Sequence, residues 1–237
     1  IIIHAAATKF VDISENYPME CIDVNVIGSQ NIARVAIDKG VETVIGISTD
    51  KASPPVRNTY GLTKSLMEKM YNVLDEKSKT NFASVRYGNV AWSTGSVLPI
   101  WSEMHKKNGV IGTTGPEMRR FFFTVNDAVR LVITALDMID KIHGKVLSRS
   151  MKAAKIKEIL KVWIKHKGGE YIKIDDRPGE RIDEYLIGEI EIPFTEKLNI
   201  NGIEHYLISF NKEVKNPIKV GLSSLNAERL SKKEIFD

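Results

Sequence analysis

Apolar positions along this chain alternate between short unbroken runs and longer stretches with a helical repeat. Ile1-Ile2-Ile3 opens a run through His4-Ala5-Ala6 and predicts a parallel strand over residues 1 to 7. From about Pro18 to Lys39 the repeat turns helical, with Ile22, Val26, Ile32, Val35 and Ala36 as core positions and Gly40 as the stop. Val44 to Ser48 is the next strand. Pro54-Pro55 forces a loop, and a helix then carries Tyr60 to about Lys77, with Leu62, Leu66 and Met70 four residues apart. Phe82 to Tyr87 is a third strand. Strand, helix, strand, helix, strand is the order of an α/β fold with a parallel, doubly wound sheet.

Past Asn89-Val90 the pattern loosens. Ser96 caps a helix to Lys107, and Gly109 to Gly115 reads as a turn-rich loop. Phe121-Phe122-Phe123 is core. Thr124 or Asn126 caps an amphipathic helix through Ile139, with Asp127 in its first turn. Lys145 to Arg149 predicts a strand. Residues 153 to 167 predict a basic helix, apolar at Ile156, Ile159, Leu160 and Trp163, and Tyr171 to Ile174 a short strand. The tail from Ile190 is strand-rich, with Asn201-Gly202 as a hairpin turn and Ser231 capping a last short helix.

Composition adds limits to this outline. The 237 residues suffice for one domain with a lobe. A net charge of +4, spread along the chain, is weak support for nucleic acid and suits an anionic small ligand equally well. With a single cysteine, Cys21, no intrachain disulfide forms, which fits a reducing cytoplasm. No apolar run reaches membrane-span length. The five histidines lack ligand spacing, so no metal site is expected.

The chemistry concentrates in Ser48-Thr49-Asp50-Lys51, at the carboxyl end of the second strand, and in Tyr60-Gly61-Leu62-Thr63-Lys64 on the next helix. In parallel α/β sheets that strand end is where ligands bind. Tyr60 and Lys64, four apart, share a helix face, and an ammonium near a phenol favours the phenolate. Tyr-x-x-x-Lys alone is common on solvated helices; its place behind a buried strand ending in Asp-Lys is what selects catalysis.

His4-Ala-Ala-Ala, Ser48-Thr-Asp-Lys-Ala52, Tyr60-Gly-Leu-Thr-Lys64, Arg86-Tyr-Gly-Asn-Val90 and Arg177-Pro-Gly-Glu180 occur in one order over most of the chain. Together they resemble the extended short-chain dehydrogenase/reductase family, and within it the inverting UDP-N-acetylglucosamine 4,6-dehydratases of polysaccharide and flagellin-glycan pathways. The resemblance implies a Rossmann-like NAD(P)-binding fold over residues 1–90 and a smaller substrate-binding lobe over 91–237, with 124–149 packing back on the sheet. It implies NADP or NAD beside His4, Ala5, Ala6, Tyr60, Lys64 and Tyr87. It implies a UDP-sugar held by Lys9, Asn89, Arg120, Arg177 and Glu180, a role for Asn25 in bracing the active-site strand, and a homo-oligomer. Arg119 reads as a surface charge.

By the same resemblance Tyr60 draws the O4 proton while hydride leaves C4, Thr49 bonds O4, Lys51 removes the C5 proton and Asp50 protonates the departing C6 hydroxyl. A lowered Lys51 pKa, supplied by Lys64 and burial, is expected. Three stretches depart from the pattern. Ala91-Trp92-Ser93-Thr94 replaces the usual Gly-Ser-Arg, and Ser148-Arg-Ser-Met151 and Ile182-Asp-Glu-Tyr185 differ from the common forms. The family's opening glycine-rich pyrophosphate turn is expected ahead of the first strand; Gly109, Gly112 and Gly115 come too late for it. The reading is therefore of an N-terminally truncated chain. A UDP-sugar 4-epimerase and a non-catalytic fragment are the rival readings.

Overall fold

The computed structural model describes residues 1–236. In chain order, strand β1 (Ile2–His4) leads to helices α1 (Val11–Asn16) and α2 (Pro18–Ile22). A π-helical turn, Asp23–Ile27, joins α2 to α3 (Gly28–Asp38). Strand β2 (Thr43–Ile47) runs into a 3-10 turn, Asp50–Ala52, ahead of α4 (Thr59–Lys77). Then come β3 (Asn81–Val85), β4 (Asn89–Val90), α5 (Val97–Asn108), β5 (Val110–Thr113) and β6 (Arg119–Phe123). They are followed by α6 (Val125–Asp137), α7 (Ile139–Ile142), β7 (Val146–Arg149), β8 (Lys152–Lys155), α8 (Ile156–Lys167) and β9 (Glu170–Lys173). The tail holds β10 (Tyr185–Ile187), β11 (Thr195–Ile200), β12 (Ile203–Ile208), β13 (Leu222–Ser223) and α9 (Lys232–Phe236).

The main sheet has the order β1-β2-β3-β7-β12-β11. The first four strands are parallel, joined by helical crossovers; β12 and β11 are antiparallel and extend the sheet as a hairpin. Asn201 (φ 53°) and Gly202 (φ 78°) make that hairpin's turn, as two left-handed residues must. The principal core, including Ile45, Val85, Phe121, Leu131 and Leu147, joins this sheet to α6. A second core around Trp101, Ile111 and Leu160 lies under α5 and α8. The Thr124–Asp127 capping box starts α6. No helix among the described residues is long and apolar enough to cross a membrane.

Several expectations need correction. Residues 109–115 contain β5, paired in parallel with β9. Residues 152–155 form β8, paired with β6, so the basic helix starts only at Ile156. The helix after Thr124 ends at Asp137. The apolar repeats on α3 and α4 also misplace the buried face. Val35, Leu62 and Leu66 are at least half exposed, while Ala33, Gly61, Thr63, Lys64 and Glu68 are buried. On α4 the core is entered by Met67 and Tyr71, which pack with Val44 and Phe82, and the remaining inward positions are small or polar where the helix meets the strand ends that carry the site. Finally, the hairpin at 195–208 belongs to the main sheet, so the residues beyond 91 do not all form a separate lobe.

Candidate active site

The carboxyl ends of β1, β2 and β3 open onto one cavity of about 780 Å³. Its wall brings together Thr49, Lys51, Tyr60, Lys64 and Tyr87 from the sheet side, and Asn89, Arg120, Arg177 and Glu180 from the far side. Ala5 and Lys9 line the same space. His4, Ala6 and Asp50 do not. The His4 ring is buried and bonds Ser29 Oγ at 2.9 Å, tying β1 to α3 instead of facing a ligand. Burial, with Lys64 nearby, holds that imidazole below its ordinary pKa. Ala6 is exposed outside the cavity wall. Asp50, 1% exposed, lies behind Lys51.

The local backbone explains this grouping. Thr49 precedes the 3-10 turn and accepts the Lys51 N–H, which turns the chain across the strand end. Asn58 caps α4 by accepting the Gly61 N–H at 2.8 Å. Gly61 has no choice of side chain, because a Cβ there would come within 2.2 Å of the Lys51 carbonyl oxygen. That close approach sets Tyr60 against Lys51. Gly88 plays the same part for Asp50: a Cβ would meet Phe121 at 2.6 Å and Asp50 Oδ2 at 3.1 Å.

Lys51 Nζ donates to Asp50 Oδ1 at 2.9 Å and lies 3.8 Å from Glu184 Oε1. Thr49 Oγ1 donates to the same Asp50 oxygen at 3.0 Å, and Asp50 Oδ2 is buried without a hydrogen-bond partner. Burial alone would favour the neutral amine. The Asp50 and Glu184 carboxylates outweigh it, and Lys51 is held above the ordinary lysine pKa. The expected lowering of Lys51 by Lys64 is therefore overturned.

The phenol of Tyr60 is pushed up to about 12, chiefly by burial; the Lys51 ammonium and a hydrogen bond with Thr49 pull the other way. The cation acting on Tyr60 is Lys51, not Lys64 as the i, i+4 spacing led one to expect. Lys64 itself is drawn down to about 8, mainly by burial, with Glu68 opposing. Its amine contacts the Met67 thioether at 3.6 Å.

The far wall is built from β6 and the loop before β10. Arg120 is 8% exposed; it donates to the carbonyls of Arg119 and Ile182 and lies 3.9 Å from Glu184. Arg119, expected to be a surface charge, is a bidentate partner of Asp183 at 2.5 and 2.7 Å. Gly179 holds the Arg177–Glu180 turn against α4, its carbonyl accepting from Asn58 Nδ2 at 3.2 Å. Glu180 Oε2 is buried without a partner. Lys9 reaches across to the Thr94 carbonyl, so its ammonium bridges two edges of the cavity.

Asn25 lies in the π-helical turn and is fully buried. Its amide accepts the Thr8 N–H at 2.9 Å and donates to Thr8 O and Thr63 Oγ1, both at 3.0 Å. It clamps the loop after β1 to the residue before Lys64. One member of the site was missed from the sequence: Glu184, 2% exposed, in the atypical Ile182-Asp-Glu-Tyr185 stretch. Among the described residues no cluster of His, Cys, Asp and Glu has the arrangement of a metal site.

Comparison with known proteins gives this geometry a family. An uncharacterized membrane protein of Methanocaldococcus jannaschii is 39% identical over 248 residues, covering 99% of this chain and 72% of its own. UDP-N-acetylglucosamine 4,6-dehydratase (inverting) of Campylobacter jejuni is 35% identical over 78% of this chain and 55% of its own. UDP-glucose 4-epimerase of Rickettsia bellii is 36% identical over 83% of this chain and 58% of its own. The chain thus spans little more than half the length of these two enzymes. The crystal structure of Pen from Bacillus thuringiensis superposes with a TM-score of 0.90 at 30% identity, covering 99% of this chain and 72% of that one. DesIV, the dTDP-glucose 4,6-dehydratase of Streptomyces venezuelae solved with NAD and TYD bound, shares the fold at TM-score 0.69 and 19% identity, over 76% and 62% of the two chains. The family described as "Polysaccharide biosynthesis protein" matches residues 1–203, most of the chain and every strand-end residue named above, and this protein belongs to it.

Proposed function

We propose that this protein acts on a nucleotide sugar as a 4,6-dehydratase, converting UDP-N-acetylglucosamine to a UDP-4-keto-6-deoxy-amino-sugar with NADP or NAD. The observation that carries the reading is the meeting of Lys51, Thr49 and Tyr60 in one cavity at the rim of a parallel sheet, with Asp50 bonded to Lys51 at 2.9 Å. An epimerase needs a base at O4 alone. An adjoining carboxylate and amine beyond that base are what C5–C6 elimination requires.

The residues at the sheet rim fit the nicotinamide end of a dinucleotide. Ala5 and Ala7 leave the backbone after β1 approachable, and Lys64 is a buried amine on the cavity wall bonded only to a thioether, a donor suited to ribose hydroxyls. Gly109, Gly112 and Gly115 do not fit a pyrophosphate turn, since Gly109 ends α5 and Gly112 is inside β5. Bound there, the dinucleotide supplies the acceptor for hydride from C4 and its donor to C6.

In this reading Tyr60 takes the O4 proton. A phenol near 12 requires help, and the Lys51 ammonium and the Thr49 hydroxyl are the groups that stabilise the developing phenolate. Once C4 is a ketone the C5 proton is acidic, and Lys51, as amine, removes it. The departing C6 hydroxyl needs a proton, and the one Tyr60 took from O4 supplies it: Thr49, hydrogen-bonded to both Tyr60 and Asp50, passes it to Asp50, which delivers it past Lys51. Lys9, Arg120 and Arg177 present cations to the diphosphate, and Glu180, with its unpartnered oxygen, accepts from ribose. The exposed Leu62 and Leu66 on α4 support a homo-oligomer paired through that face.

Incubation of the protein, expressed from its complete reading frame, with UDP-N-acetylglucosamine and NADP or NAD tests the assignment. A 4-keto-6-deoxy product supports it. UDP-N-acetylgalactosamine would establish the epimerase, a reading favoured by the Rickettsia relative. No turnover of any UDP-hexosamine would leave a non-catalytic role.

A further inference from the structure

Glu184 has no assigned part in this chemistry, yet it is built into the site. Its backbone is fixed by two hydrogen bonds with Ser224, N–H to Oγ at 3.0 Å and carbonyl from N–H at 2.8 Å. Its Oε1 lies 3.8 Å from Lys51 Nζ and 3.9 Å from Arg120 Nε; its Oε2 lies 3.9 Å from Arg181 Nε. All of these exceed hydrogen-bond length, and Oε2 is buried with no hydrogen-bond partner at all. Asp50 is the fourth charged group facing it, across Lys51. Lys51 is therefore an ammonium between two carboxylates, one bonded to it and one held about 1 Å too far away.

The dehydratase reading has an unsolved demand. Lys51 must become an amine, and its surroundings hold it as an ammonium. Losing the proton to water would leave the buried Asp50 and Glu184 carboxylates without the cation that lies between them. Losing it to a neighbouring carboxylate turns a buried ion pair into a neutral pair, which a low-dielectric cavity tolerates better.

We propose that Glu184 is a positioning residue for Lys51: it takes a proton from the ammonium and gives it back, so that Lys51 cycles between ammonium and amine with no proton leaving the cavity. In the forward step one Lys51 N–H bond breaks and a Glu184 Oε1–H bond forms. After Lys51 has accepted the C5 proton it is again an ammonium with three equivalent protons, two of them solvent-derived, and it returns one of the three to C5 as hydride reaches C6; the Glu184 proton then goes back to the amine. Nothing is oxidised or reduced in the exchange. The carboxyl suits the task, since burial holds it above the ordinary glutamate range even though Lys51, Arg120 and Arg181 pull it down.

The inference rests on the dehydratase reading, and Glu184→Gln separates the two. Gln keeps the shape and cannot take a proton. With the wild type, keto-sugar formation is flat across neutral pH. With E184Q, kcat at pH 7 falls by about 10- to 100-fold and then climbs about tenfold per pH unit, because Lys51 must lose its proton to solvent. KM stays within about threefold, since no substrate contact is lost. A variant within about twofold of wild type at pH 7, or a loss of the same size at every pH, overturns the proposal. A wild type that makes no keto sugar sinks the dehydratase reading instead. Carbon-13 carboxyl titration of the protein alone then decides whether the pair is coupled. Lys51→Met must move the Glu184 midpoint upward by about one pH unit or more, and an unchanged midpoint overturns the proposal.

Discussion

Arg86→Met is the substitution whose cost the structure sets most firmly. The guanidinium is 1% exposed. It donates to Glu68 through Nε (3.0 Å) and Nη2 (2.6 Å), and Nη1 donates to Glu191 Oε2 (3.0 Å) and the Leu186 carbonyl (3.1 Å). This joins β3 to α4 and to the 3-10 turn Glu189–Phe194. Burial opposes the charge, but the two glutamates together raise the Arg86 pKa above its ordinary value. Removing one partner of a buried ion pair costs about 3–5 kcal/mol, because the other charges stay buried. That is a large share of the ~5–15 kcal/mol typical of a domain. With a urea slope of about 3 kcal/mol/M, the midpoint should fall by roughly 1–1.7 M. Arg86→Met with Glu68→Met removes one of the two orphaned carboxylates as well, and the pair should be less destabilising than the sum of the singles by about 1 kcal/mol or more. A loss below about 1 kcal/mol for Arg86→Met, or strict additivity, would refute the view that this network carries stability.

Four further outcomes follow from the geometry. A tyrosine raised in the fold to about 12 keeps its proton when the unfolded chain has lost it, so Tyr60 contributes stability that is intact below pH 10 and disappears as pH rises to about 12, roughly 3 kcal/mol in all. Lys64, lowered to about 8, acts in a different window: stability rises between pH 8 and 10.5, and Lys64→Met removes that rise in urea melts at stepped pH. Gly61→Ala forces a Cβ toward the Lys51 carbonyl, 2.2 Å away, and should lower turnover by about 100-fold while far-UV circular dichroism is retained. Glu at both Leu62 and Leu66, each at least half exposed, should convert an oligomer to monomer in light scattering with turnover per protomer as the companion readout.

Much of this architecture is legible in the sequence because parallel strands are buried on both faces and read as unbroken apolar runs, as at Val44–Ile47. Glycine-rich β5 is not: Gly109 and Gly115 look like loop punctuation, and only its pairing with β9 makes it a strand. On α4 the leucine repeat points outward because the core is entered one residue on, by Met67 and Tyr71, while the rest of the inner face carries Lys64 and Glu68, the latter bonded to Arg86. Asp50, Lys51 and Tyr60 are close in sequence, and their meeting follows from one strand end and one helix start. Glu184 comes from a distant loop. Its only local signal is a carboxylate in an atypical stretch, and no short-range pattern says which cation it reaches. Lys64 is the converse case. Spacing puts it on the Tyr60 face, but packing directs its amine to Met67.

The central claim is that Lys51 handles the C5 proton of a UDP-amino-sugar. Turnover in deuterated water measures this directly. The account predicts a 4-keto-6-deoxy product carrying deuterium at C5 from the wild type, and neither product nor C5 exchange from Lys51→Met. A C5 that retains its original proton, or exchange that survives the loss of Lys51, would contradict it.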